Sequence, residues 1–174
     1  MTATAASPRS ALAATFALAL VLAALSVGAA PPAPVESPDP LPGTYRFRAT
    51  PMACGAKARD CPCSDGDTCR LDLHDQHPVF GRVTWRGNAV RLLGLDAPEL
   101  HPARCDAERE LGERARARVI ALLTAANVVE VDIRQRRDKY GRLLGRALAD
   151  GKDVAETLIA EGLARFYGKG RRKG

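Results

Sequence analysis

Outside two helical stretches, apolar side chains between Thr44 and Ala149 recur at every second position in short runs, and Gly, Asn or Asp closes most of them. Period two is the spacing of a strand with one buried face, whereas a helix needs three and four. "GTYRFRAT" alternates and predicts a first strand, and "DGDTCRLDL" predicts a turn followed by Cys69, Leu71 and Leu73 on one face. "GRVTW" and "AVRLLGL" flank "RGN", which predicts a hairpin with Gly87 and Asn88 at its tip. "NVVEVDI" predicts Val129, Val131 and Ile133 inward, with Glu130 and Asp132 outward. "RDKYGR" turns that strand into "RLLGRALAD". The spacing changes twice. Leu111, Ala115, Val119 and Leu122 predict a helix over 106–123, with Glu110 and Arg114 as a favourable i,i+4 pair. Asp153 and Glu156 form a capping box for a last helix from Val154 to about Arg165, burying Val154, Leu158 and Ile159. Three or so strands, a helix, two strands and a helix describe a mainly β domain, a small and partly open barrel.

The chain around this core is not built to fold. Arg9 is the only charged side chain before the Ala/Leu-rich run from Ala11 to Leu25, and "SVGAAPP" follows. That order predicts an export signal over 1–29 cut after Ala29, the alternative being an uncleaved membrane anchor. The Pro-rich segment up to Pro42 has little to bury and predicts a disordered, extended tether over 30–42. The folded domain is expected over 43–168, with 169–174 as a basic tail. From Arg134 to Gly174 there are twelve Lys/Arg against five Asp/Glu, a surplus of +7 against +6 for the whole chain. A basic last third points to a polyanionic partner.

Five cysteines in an exported chain make disulfides the default. Their spacing, C-x6-C-x-C-x5-C before Cys105, fits no zinc finger or ribbon. Four can pair and leave one free. A bridge between Cys63 and Cys69 would pin the "SDGDT" turn between them.

Three short segments carry the chemistry: "DGDT" (65–68), Arg91 with "DAPE" (96–99), and "DKYGR" (138–142). Each taken alone is ordinary turn or surface sequence. Taken together they are not, because carboxylates gathered in an open site repel one another and repel phosphate. They make sense around a hard divalent cation such as Ca²⁺, which takes carboxylate, carbonyl and water oxygens. Asp67 and Asp96 can supply carboxylates and Ala97 a carbonyl. Arg91 and Arg142 can donate forked hydrogen bonds to a phosphodiester held there. Glu99 is left to orient or deprotonate a water. Arg91 and Asp96 lie about 16 Å apart along a straight strand and point to opposite faces, so they share a site only if the chain bends, and Gly94 is where it can.

"RLLGLDAPE" and "DKYGR", with "DGDT" before them and "GLARFY" after, resemble the staphylococcal nuclease (thermonuclease) family, in the family's order from Asp65 to Tyr167. The resemblance implies an OB-fold, a five-stranded barrel with two flanking helices. It also implies Ca²⁺-dependent cleavage of DNA and RNA that leaves 3′-phosphate ends. By it, Asp67, Asp96 and the Ala97 carbonyl bind the metal, Asp65 stands near it, and Glu99 matches the general base. Arg91 and Arg142 match the phosphate-contacting arginines, and Tyr140 lies by the nucleotide. The 24 positions between Asp67 and Arg91 and the Cys-rich approach to "DGDT" depart from the family's simplest members. Tyr167 is followed by seven residues, too few for the family's long C-terminal helix. The expected protein is an exported, monomeric nuclease acting on single-stranded DNA and RNA. The main alternative is a catalytically silent OB-fold that binds nucleic acid. A disulfide-stapled interaction module would leave the arginines and carboxylates without a purpose.

Overall fold

The computed structural model describes residues 36–55 and 61–168, of which 135 and 136 are described by backbone alone. The expected signal, the start of the tether and the basic tail lie outside the described residues. β1 (Thr44–Pro51), β2 (Thr68–His77) and β3 (Gly81–Leu92) form an antiparallel meander. β4 (Gly94–Asp96) follows after one residue, and then comes α1 (Asp106–Ala125). β5 (Val129–Arg137), β6 (Leu143–Ala149) and β7 (Lys152–Asp153) lead to α2 (Val154–Ala160) and β8 (Arg165–Tyr167).

Five strands close a barrel in the order β3-β2-β1-β5-β6, sealed by parallel pairing of Val90–Leu92 with Leu143–Gly145. This is the expected OB-fold with its two helices. The barrel is closed rather than partly open because β6 reaches across to β3. The alternation seen in the sequence fills it: Leu71, Leu73, Val90, Leu92, Val131 and Ile133 are all buried. Ala115, Val119 and Leu123 of α1 and Val154 and Leu158 of α2 join the same apolar cluster. No helix among the described residues is long and apolar enough to cross a membrane.

Four local expectations need correction. The chain does not turn at Gly87 and Asn88; β3 runs straight through them, and the hairpin tip lies at 78–80. The Asp72 carboxylate accepts the Gly87 N–H at 2.6 Å, and the register slips between Leu71 and Leu73, so the turn-like sequence is spent on a bulge. The buried face of α1 is turned from the expected one, with Gly112 and Leu123 buried and Leu111 and Leu122 only half-buried. α2 stops at Ala160, five residues early, where the Leu163 N–H returns to the Leu158 carbonyl at 2.9 Å and closes the helix. Its start is as expected, with Asp153 accepting from the Ala155 and Glu156 N–H groups.

The fourth correction concerns Asp132. It points out of the barrel, yet its side chain is 0 % exposed. Arg46 grips it through Nε at 2.7 Å and Nη2 at 3.0 Å, and Arg146 through Nη2 at 2.7 Å. The Leu41 N–H also reaches it, and Arg146 donates to the Asp39 carbonyl, so the end of the Pro-rich segment lies over the cluster. Burial alone would raise the Asp132 carboxyl, but the two guanidinium groups override it and hold the group below its ordinary value.

Asp132→Asn should therefore cost about 3 kcal/mol in urea unfolding near neutral pH, because it takes the shared charge partner from two half-buried arginines and leaves Arg46 only the longer pair to Glu130. A depressed carboxyl stabilises above the unfolded value of about 3.9, and that contribution fades as pH falls through the lower folded value. Wild type and variant should converge in acid. A gap that persists there would assign the loss to packing instead.

Candidate active site

The site forms at the end of the barrel where β2 begins and β3 ends. Register does most of the work: Thr68 sits opposite Arg91, and the Leu92 N–H donates to the Asp67 carbonyl at 2.7 Å. Asp67 is thereby fixed beside Arg91, whose Nη1 donates to Asp67 Oδ1. The chain then bends at Gly94, whose φ of +88° suits a residue without a side chain, and β4 carries Asp96 back to the same place. Arg91 Nη2 comes within 3.6 Å of Asp96 Oδ1. The bend expected at Gly94 is present, and one guanidinium bridges the two aspartates.

Arg142 enters from the β5–β6 turn. Asp138 holds it twice, through the backbone N–H at 2.9 Å and Nε at 2.8 Å. Its Nη1 is then free to donate to the Thr68 hydroxyl at 3.0 Å. That hydroxyl donates in turn to Asp67 Oδ1 at 3.0 Å. The groups form one continuous chain: Arg142, Thr68, Asp67, Arg91, Asp96. Neither Thr68 nor Asp138 was singled out from sequence, although both stand inside the quoted motifs. A hydroxyl relaying between two charged groups has no spacing signature of its own.

The remaining candidates lie around this chain. Asp65 accepts the Asp67 N–H at 3.0 Å and so shapes the loop. Ala97 is buried, and its N–H faces Asp67 Oδ2 at 3.4 Å. Tyr140 is 70 % exposed, with the Arg142 guanidinium 5.2 Å from its ring centre. Glu99 is exposed just beyond Pro98 and makes no ion pair among the described residues. Tyr167 pairs with Gly94 across the small β4–β8 sheet.

The charge in this cluster is poorly balanced. Burial and the nearby Asp65 carboxylate push the Asp67 carboxyl up to about 7, and the pull of Arg91 is too weak to reverse them. Arg91 must also serve Asp96. Among the described residues no three His, Cys, Asp or Glu side chains gather as a ready-made metal cluster. The donors present are all oxygens: two carboxylates, with Asp65 and backbone close by. That set fits a hard cation completed by water and carbonyl oxygens, and an underneutralised buried carboxyl is what such a cation would satisfy.

Two disulfides form, Cys54–Cys61 and Cys63–Cys69, and Cys105 is left free and exposed. The second encloses "SDGDT", one of the pairings that the sequence left open.

A family model described as staphylococcal nuclease homologue matches residues 89–173. That span holds Arg91, Asp96, Ala97, Glu99, Tyr140 and Arg142 but not Asp65 or Asp67. The chain is also similar to two proteins of Bacillus subtilis (strain 168). One is the SPbeta prophage-derived endonuclease YokF, 46% identical over 88 residues, which are 48% of this chain and 29% of that protein. The other is the endonuclease YncB, 45% identical over 103 residues, 58% of this chain and 43% of that protein. The chain thus spans less than half the length of either relative.

The loop that carries Asp65 and Asp67 is packed with no room to spare. A Cβ on Gly66 would lie 2.7 Å from the Ala97 Cβ and 2.8 Å from the Ala115 Cβ. Gly66→Ala should cost about 1–3 kcal/mol of stability in denaturant unfolding. An unchanged midpoint would mean that the loop stands clear of α1 and of Ala97.

Proposed function

We propose, from the match of residues 89–173 to the staphylococcal nuclease homologue family, that this chain hydrolyses nucleic-acid phosphodiesters at the cluster running from Arg142 to Asp96. The observation that carries the reading is the convergence itself: side chains from three separate segments meet in one line of hydrogen bonds and ion pairs. Nothing in barrel packing requires two carboxylates to share an arginine at the rim.

Asp67 and Asp96, with the Ala97 carbonyl, would hold Ca²⁺. When bound it would draw in the phosphodiester and offset its charge. Arg91 now divides its single charge between Asp67 and Asp96, and its head group becomes available to phosphate once those carboxylates are otherwise neutralised. Arg142 is held on one side by Asp138, so its planar fork is already oriented before substrate arrives. Charge grows on the phosphoryl oxygens as a nucleophile attacks. Donors oriented in advance then help more in the transition state than in the ground state. Glu99, exposed and without an ion pair among the described residues, accepts a proton from the attacking water at its carboxylate. Tyr140 offers a ring face beside Arg142 for a base or sugar. The products on this reading carry 3′-phosphate ends, and single-stranded DNA and RNA are the substrates.

Export is part of the proposal. The charged, apolar and small-residue order of 1–29 supports it, and so do two disulfides, which persist in oxidising compartments. A monomer suffices, since every proposed group comes from one chain.

The basic last third favours one other reading, a silent OB-fold that binds nucleic acid without cutting it. Incubation with single-stranded DNA separates the two. Shortening in Ca²⁺ that stops in a chelator is the result expected here, whereas a mobility shift with intact strands would favour the silent binder.

Two variants probe the roles. Glu99→Gln should lower turnover about 10²- to 10⁴-fold while binding of a non-cleaved oligonucleotide is kept. Full turnover in that variant removes Glu99 from the chemistry. Arg142→Lys keeps the charge but loses the fork, and kcat should fall by about 10²-fold. An unchanged kcat would show that only the charge matters.

A further inference from the structure

The loop from Ser64 to Thr68 is closed on itself by a covalent bond. Cys63 and Cys69 are joined, are 0 % exposed, and form a β-bridge with each other. The closed segment contains Asp65, Asp67 and Thr68, that is, every site residue that comes from the β2 side. Inside it the Ser64 N–H donates to the Thr68 carbonyl at 3.0 Å, and the Asp67 N–H to Asp65 Oδ1 at 3.0 Å. Outside it, Arg116 of α1 donates from Nε to the Cys63 carbonyl at 2.7 Å. The register that places Thr68 opposite Arg91 continues with Cys69 opposite Val90. The sulfur bridge therefore ties one end of the carboxylate loop to a core strand, and α1 holds the other.

We propose that the Cys63–Cys69 disulfide is a positioning device for the proposed cation site: it holds Asp65 and Asp67 in their binding arrangement before any cation arrives. The inference rests on the Ca²⁺ reading above and adds a specific part to it. The Asp65 carboxylate acts on Asp67, and Asp67 has to share the Arg91 guanidinium with Asp96, so the negative charge on this loop is not fully met. Without the sulfur bridge, only the Arg91 ion pair and a few hydrogen bonds would restrain this five-residue loop, and it could relax by swinging Asp65 or Asp67 toward water. The covalent closure denies it that relief, so the ordering entropy and the repulsion are met at folding rather than at binding. The Cys54–Cys61 bridge closes a neighbouring loop that contains none of the site residues, and so serves as an internal control of the same chemistry.

The test is calorimetric titration of the full chain with calcium chloride, comparing wild type with Cys63→Ala/Cys69→Ala and with Cys54→Ala/Cys61→Ala. Thiol titration should find Cys105 alone in the wild type. The expected result is Ca²⁺ affinity at least about ten-fold weaker in the first pair, the scale seen when groups that orient ligands are lost, and unaltered in the second. Binding by the first pair should recover at high Ca²⁺ with the same stoichiometry, which a merely unfolded protein would not do. Equal affinity in both pairs would overturn the proposal while leaving the cation reading standing. A wild type that binds no Ca²⁺ would overturn both. Should the first pair fail to fold, hydrogen exchange of wild type in chelator decides. Amides 65–68 already slow without cation are expected. Amides that exchange freely and slow only when Ca²⁺ is added would show that the cation orders the loop, against the proposal.

Discussion

The contact on which the site depends is the pairing of Asp67 with Arg91, made possible by the Thr68–Arg91 register of β2 and β3. Shift that register by one residue and Arg91 points into the barrel, where its charge has no partner. The same shift moves Leu92 out of the core and Asp67 away from the Ala97 N–H. The apolar alternation of the two strands thus serves two purposes. It fills the barrel, and it sets the phase that brings a carboxylate and a guanidinium together at the rim.

A second charged cluster lies elsewhere on the barrel and shows what full compensation looks like. Asp132 has two guanidinium groups and a backbone N–H, and its carboxyl is held below the ordinary range. Asp67 has one guanidinium, shared with Asp96, and a second carboxylate beside it, and its carboxyl is pushed up. Both are buried aspartates in one small domain, yet their environments drive them in opposite directions. The first is a structural clasp across β1, β5 and β6. The second is underneutralised, the state expected of a group that meets its remaining charge in a ligand.

The barrel was legible because its signal is local. Alternating Leu71 and Leu73, or Val129, Val131 and Ile133, report their faces within a few residues. The candidate residues were legible because "DGDT", "DAPE" and "DKYGR" are short and distinctive, and the structure brings Asp67, Arg91, Asp96 and Arg142 together as expected. What escaped were features decided at long range. Asp132 reads as a solvent residue until Arg46, 86 positions away, closes over it. Gly87 and Asn88 read as a turn until Asp72 captures the Gly87 N–H and keeps the strand going. Thr68 reads as a strand residue until Arg142, 74 positions on, meets its hydroxyl. Each depends on a partner that no sequence window contains.

The central claim is that Asp67 and Asp96 share one cation while Arg91 and Arg142 face a phosphate across it. The most direct test is diffraction from crystals of the protein grown with Ca²⁺ and a nucleoside 3′,5′-bisphosphate. The expected result is a single Ca²⁺ touching both aspartates and phosphate oxygens on both guanidinium groups. A cation held away from Asp67, or a phosphate that leaves Arg142 with Thr68 and out of reach, would contradict it.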